Sequence, residues 1–171
     1  VEYFEESSNM TRGTANTWVK GRLQWRDDNG VLHPLQFTAI DIFDDDVVFE
    51  DHLGECFTDE NGDFSCAFEN QTISTENGGC DPYIVVYAIG VGYNIVIDKK
   101  ASSGYSYESA HYKNVATGST TTINLTFNME NDLGRAFQIL QAAVTLSRYA
   151  TEMDTTGTDL GLVRILYPYS G

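Results

Sequence analysis

An antiparallel β-sandwich followed by one C-terminal α-helix and a final β-strand is the fold this sequence predicts, in a mainly β chain. Three observations carry the prediction. Between residues 16 and 128 the chain divides into short alternating or apolar runs, with turn clusters about every 8–12 residues, the spacing of a sandwich. The 10 Tyr and 17 Thr suit pleated, half-exposed sheet surfaces. A single long window, 131–153, is apolar at helical rather than alternating steps. At 171 residues, 42% apolar and 20% charged, the chain reads as one domain with a modest extension, able to pack a core and too apolar for disorder.

Residues 1–15 hold no sustained period and read as an N-terminal arm, and the sandwich is expected over 16–130. In its first strand Trp18, Lys20, Arg22, Gln24 and Arg26 alternate with Val19, Gly21, Leu23 and Trp25. Asp27-Asp28-Asn29-Gly30 then turns the chain. Residues 35–43 form the second strand, with Leu35, Phe37, Ala39 and Asp41 along one face. The acidic stretch 44–46 and the short apolar run 47–49 precede a hairpin centred on Asp59-Glu60-Asn61-Gly62. Asn77-Gly78-Gly79 marks another loop, and residues 82–88 are almost all apolar, as in a strand covered on both faces. Residues 93–97 and 119–128 complete the strands.

Asn131 and Asp132 can cap a helix that occupies 131–153. Gln138, Gln141, Thr145, Arg148 and Glu152 fall on one narrow polar stripe, and the remainder, including Phe137, Ile139, Leu146 and Tyr149, is apolar. That apolar arc is roughly twice the 100° that packing on one sheet requires, so a second partner is expected. In the last segment, 154–171, Leu160, Leu162, Arg164 and Leu166 share one face of a strand, and Gly161, Val163, Ile165 and Tyr167 the other. A strand apolar on both faces belongs inside a sheet, either its own or a neighbouring molecule's. The candidate assembly residues are therefore Phe137, Ile139, Leu146, Tyr149, Leu160, Leu162, Val163, Ile165 and Tyr167.

Ten Lys and Arg stand against 25 Asp and Glu, a net charge of -15, which excludes a nucleic-acid footprint and disfavours an anionic membrane surface. No run approaches the roughly 20 apolar residues of a helical span, so no membrane insertion is expected. The chain opens at Val1 without a charged-then-apolar leader and reads as mature. Asn9, Asn70 and Asn124 each head an Asn-x-Thr triplet and are candidates for N-linked glycans on an extracellular chain. Of the three cysteines, Cys56 and Cys66 flank the hairpin: a three-residue loop sets Asp59 opposite Asp63 and Cys56 opposite Cys66. A four-residue loop shifts that register, and Cys66–Cys80 is the rival pairing.

The acids crowd between Asp41 and Asp63, ten of them with no Lys or Arg. Turn chemistry accounts for Asp59-Glu60-Asn61-Gly62-Asp63, which lacks the spaced ligands of an EF-hand. Asp44, Asp45, Asp46 and Asp51 admit calcium only as a weak alternative to a solvated edge, and no metal or other cofactor is expected. His33, His52 and His111 are scattered, and no nucleophile motif is present. His52 lies among acids, and His111 lies among Tyr105, Tyr107 and Tyr112. Those tyrosines offer faces for stacking sugar rings or an ordinary aromatic cluster.

Thr58-Asp59-Glu60-Asn61-Gly62-Asp63-Phe64 resembles the T-D-x-x-G-x-F hairpin of carboxypeptidase regulatory-like, transthyretin-like β-sandwiches. Val19-Lys20-Gly21 with Trp25 and Asn29-Gly30 is similar to that family's first strand and turn. The resemblance spans about residues 17–127 and implies a transthyretin-like sandwich. Gly79 to Val85, the helix around Phe137 and Val163 to Pro168 together resemble the accessory sandwich and lead-in of secreted zinc metallopeptidases. The catalytic H-E-x-x-H of those enzymes does not occur in the chain.

The function expected from these features is a non-enzymatic, extracellular, glycosylated structural protein that self-associates, as protomer of a filament or surface assembly. An accessory domain of a secreted metallopeptidase and a carbohydrate-binding module are the alternatives.

Overall fold

In the computed structural model, which describes residues 16–45, 50–70, 79–93, 95–98, 104–154 and 161–167, alternation in the first strand sets the fold. Along β1 (Thr17–Arg26), Val19 and Leu23 are buried, whereas Trp18, Lys20, Arg22 and Arg26 face outward. β1 is the centre of a four-stranded sheet. One of its edges is shared by β2 (Leu32–Pro34) and β5 (Asp63–Phe68), and the other is taken by β9 (Thr120–Asn128). The facing sheet has six strands. Its path runs β10 (Val163–Leu166), β7 (Ile95–Asp98), β6 (Pro82–Gly90), β3 (Thr38–Asp45) and β4 (Glu50–Phe57), and β8 (Ser106–Glu108) also pairs with β6.

The pairing is mixed, where the sequence suggested an antiparallel sandwich. β1 and β9 run parallel, as do β7 and β10. A parallel pair needs a crossover rather than a hairpin. Here the crossovers are everything between β1 and β9, and α1 (Asp132–Met153), which lies between β7 and β10 in the chain. The strand expected over 35–43 starts later. Phe37 takes φ 51° in a turn at Gln36–Phe37, and the strand's buried face is then Ile40 and Ile42, not Phe37 and Asp41.

Ile40, Ile42, Ile84, Val86, Ile95 and Ile97 of the larger sheet meet Val19, Leu23, Phe68 and Ile123 of the smaller one in the core. Each such fully buried side chain contributes about 1.5–3 kcal/mol. α1 lies beside the smaller sheet and completes that layer with Ala136, Phe137, Leu140 and Val144. Asn131 caps it, accepting a hydrogen bond from the Gly134 N–H at 2.8 Å. The helix orientation corrects the expected polar stripe: Gln141 is only 6% exposed. Its Oε1 accepts from the Gln36 N–H at 2.8 Å and its Nε2 donates to the Gln36 carbonyl at 3.1 Å. One buried amide thus satisfies both backbone groups of the turn before β3.

Two close approaches fix the architecture. Gly21 lies so near β9 that a Cβ there would stand 1.7 Å from the Ile123 carbonyl oxygen. Cys56 and Cys66 form a disulfide with Cα atoms 5.8 Å apart. The three-residue loop forms, with the Asp59 N–H donating to the Asp63 carbonyl at 2.8 Å, but its two strands do not pair as the expected hairpin: β4 pairs with β3 and β5 with β1. Because β4 and β5 belong to different sheets, the bond staples one layer to the other. Cys80 lies outside it, buried, with its sulfur 4.0 Å from the Val115 carbonyl oxygen.

Candidate functional site

Three surfaces hold the residues singled out by sequence. The first is the outer face of the six-stranded sheet, where the acidic stretch lies. Tyr83 is stacked between Phe43 and His111, with ring centroids 5.6 and 4.3 Å away. His111 Nδ1 is 2.7 Å from Asp45 Oδ2, and its Nε2 is 2.9 Å from Glu108 Oε1. A carboxylate at each ring nitrogen favours the doubly protonated ring. Asp45 first and Glu108 second therefore hold the His111 pKa above its usual value. Lys113 donates to Asp45 at 2.6 Å and approaches Asp81 at 2.9 Å. These bonds push the Lys113 pKa up and, with His111, pull that of Asp45 down.

Asp44 Oδ1 accepts from the Asp81 N–H at 2.6 Å. The carboxylates considered for calcium are thus engaged by protein donors, apart from exposed Asp51 and from Asp46, which lies outside the described residues. Among the described residues no three His, Cys, Asp or Glu side chains converge as metal ligands. Asp59 does what its turn requires, with Oδ1 accepting from the N–H groups of Asn61 and Asp63 at 2.8 and 2.9 Å. His52 stands 3.7 Å from Asp41. Burial, then the Asp41 charge, pushes the Tyr87 phenol up to about 12.

The His111 contacts give a pH dependence with a definite sign. A histidine with a raised folded pKa stabilises the fold fully below its unfolded pKa of about 6.5 and loses that contribution as pH rises through the folded value. Asp45, with a lowered pKa, loses its contribution as pH falls well below about 4. The stability difference between wild type and His111→Gln is therefore expected to be greatest between about pH 4 and 6.5 and to shrink above it. Thermal melts of both proteins across that range check it; a difference that grows with rising pH contradicts the ion pairs.

The second surface is the outer face of the four-stranded sheet. Lys20, Arg22 and Gln24 of β1, Asp63 and Ser65 of β5, and Thr122, Asn124 and Thr126 of β9 line an open groove of about 590 Å³. Arg22 clamps Asp63 through two bonds of 2.6 and 2.7 Å. Asn124 is exposed in this groove. Asn70 is not so presented. Its Nδ2 donates to the Val115 carbonyl at 2.9 Å, and its Oδ1 is buried with no hydrogen-bond partner among the described residues. Asn9 lies outside the described residues.

The third surface is apolar. Leu146, Tyr149 and Met153 are 68%, 62% and 66% exposed on the C-terminal half of α1. Leu162, Val163 and Leu166 are exposed on and beside β10. α1 and β10 are connected through β6 and β7: Gly90 lies against Val144, Gly90 pairs with Ile95, and Ile95 pairs with Val163. Phe137 does not belong to this surface. It is fully buried against Phe127, with centroids 4.4 Å apart, because α1 turns its N-terminal half into the core. Ile139, Ile165 and Tyr167 are half-buried, with the Tyr167 carbonyl accepting from the Tyr105 hydroxyl at 2.8 Å, and Leu160 lies outside the described residues. Sequence reasoning left Met153 and Leu166 off the candidate surface. The spacing of Met153 from Leu146 and Tyr149 was the available signal. Of the tyrosines considered for sugar stacking, Tyr105 is buried, Tyr112 is half-buried, and Tyr107 is exposed with its ring at a right angle to that of Phe127.

No protein-family model and no curated protein matches the chain. Among solved structures the chain is similar to part of a 9R-lipoxygenase from Cyanothece, with 18% identity over 86% of this chain and 25% of that one, at a TM-score of 0.48. The chain thus spans about a quarter of that protein's length. A candidate carbohydrate binding protein from Pseudomonas aeruginosa is 14% identical over 68% of this chain and 91% of that one, at a TM-score of 0.37. A DUF3823 family protein from Parabacteroides merdae is 12% identical over 67% of this chain and 46% of that one, at a TM-score of 0.36. At these TM-scores no function carries across.

Proposed function

We propose that the chain is a non-enzymatic, extracellular structural protein that associates with further copies of itself, as protomer of a filament or surface assembly. The observation that carries this reading is the exposure of Leu146, Tyr149 and Met153 on α1 and of Leu162, Val163 and Leu166 on and beside β10. The outer edge of β10 has no strand partner among the described residues, so it supplies main-chain groups as well.

A second copy is the occupant that fits. The chain carries -15 overall, yet beside these side chains Arg148 pairs with Glu152 at 3.2 Å and Arg164 with Asp98 at 3.0 Å. Those pairs offset part of the negative charge there. The disulfide supports an oxidising, extracellular setting. The hairpin of Thr58 to Phe64 supports a sandwich of the transthyretin-like kind.

Light scattering and electron microscopy over a concentration series test the reading, with Leu146→Asp and Tyr149→Asp as variants. Wild type is expected to assemble, and more readily at high salt, where the net charge is screened. Each variant should need a protein concentration at least about tenfold higher, because it buries an unpaired carboxylate in the contact. Wild type that stays monomeric at every concentration and salt overturns the proposal.

A further inference from the structure

The groove on the four-stranded sheet points to a modification site. We propose that Asn124 carries an N-linked oligosaccharide and that the sugars nearest the protein lie in this groove, along β1 towards Trp18. The proposal rests on the extracellular part of the functional reading and is independent of self-association.

The three Asn-x-Thr triplets are chemically alike, and the structure separates two of them. Asn70 has its amide nitrogen turned inward onto the Val115 carbonyl. Asn124 is held the other way round. Its Oδ1 accepts from the Arg22 N–H at 2.9 Å, which fixes the amide plane and settles which atom is oxygen. The side chain is exposed, which leaves Nδ2 open to substitution. The Arg22 bond uses Oδ1, so it survives substitution at Nδ2.

In the transfer, the bond between the anomeric carbon and phosphate of a lipid-diphosphate-linked oligosaccharide breaks. The Nδ2–C bond forms, Nδ2 loses one proton, and the lipid diphosphate leaves. In the folded chain an Nδ2 bonded inward to the Val115 carbonyl, as in Asn70, has no room for that carbon, whereas exposed Asn124 accommodates it. The groove suits the sugars. Lys20 and Gln24 on β1 and Thr122 and Thr126 on β9 offer hydrogen-bonding groups to hydroxyls and acetamides. Lys20 has no ion-pair partner among the described residues. Trp18, 38% exposed on the same face two residues before Lys20, supplies an aromatic surface within reach of the second or third sugar.

Protein from its native source is tested by glycopeptide mass spectrometry. The peptide containing Asn124 is expected to carry glycan and the peptide containing Asn70 to be bare. An unmodified Asn124 overturns the site. Tryptophan emission before and after enzymatic removal of the glycan from the folded protein tests the seat. Emission should shift to the red in wild type and stay fixed in Trp18→Phe. Modified Asn124 with unchanged wild-type emission overturns the groove as the seat. Assembly without glycan would sink this inference and leave the functional reading intact, and glycosylated monomers would do the reverse.

Discussion

Gly21→Ala is expected to lower stability by about 3 kcal/mol or more, above the usual 1–3 kcal/mol of an overpacked site. The added Cβ would stand 1.7 Å from the Ile123 oxygen and 2.6 Å from the Ile123 carbonyl carbon. Both are backbone atoms, so no rotamer change relieves the contact. β1 cannot move aside either, since it is paired with β9 from Trp18 to Arg26 and with β5 on its other edge. The strands must part locally and give up ladder hydrogen bonds. Urea titration gives the loss directly, and at about 2–4 °C per kcal/mol the melting temperature should fall by roughly 6–12 °C. Gly30→Ala is the control. Gly30 has φ 82° with nothing within 4 Å of its added Cβ, so only the backbone preference is lost, about 1 kcal/mol. If Gly21→Ala unfolds at the wild-type urea midpoint, the close approach of the two strands is wrong.

Reducing the Cys56–Cys66 bond is expected to cost nearly as much, about 3 kcal/mol. The bond joins residues 10 apart in sequence, and a loop of that size removes roughly that much chain entropy from the unfolded state. The structural consequence exceeds the loop arithmetic, because the bond ties an edge strand of one sheet to a strand of the other. Melting temperature with and without a thiol reductant checks it, with an expected fall of roughly 6–12 °C. Cys80→Ala should show the same fall, since Cys80 lies outside the bond. A reductant effect that disappears in Cys80→Ala would mean that the pairing is misassigned.

Local chemistry was legible in the sequence. Asp59 and Gly62 specify a three-residue loop, and the loop brings Cys56 and Cys66 back together, although the strands on either side of it join different sheets. Val19 and Leu23 alternate with charged residues, so β1 could be read directly. Long-range choices were not legible. No local pattern says that β1 will take β9 as a parallel neighbour. Gln141 reads as surface because it is polar, and it turns inward because the Gln36 backbone, 105 residues away in sequence, needs its amide. Phe137 and Leu146 are equally apolar, and only the placement of α1 against the sheets buries one and exposes the other. Asn124 and Asn70 head identical motifs, and the difference between them lies entirely in what each amide touches.

The parallel β1–β9 pairing also bears on how the molecule is made. The partner of residues 18–26 is residues 120–128, so the smaller sheet cannot close until more than a hundred residues have followed β1 out of the ribosome. Until then β1 has at most its antiparallel neighbours, and one whole edge waits. Contacts between such distant segments slow folding towards the millisecond-to-second range, because loop closure must come before its reward. The waiting edge carries Lys20, Arg22 and Arg26. Cationic side chains on an unpaired strand discourage chance pairing between nascent chains, so Lys20 and Arg22, which line the finished groove, also guard the unfinished sheet against aggregation.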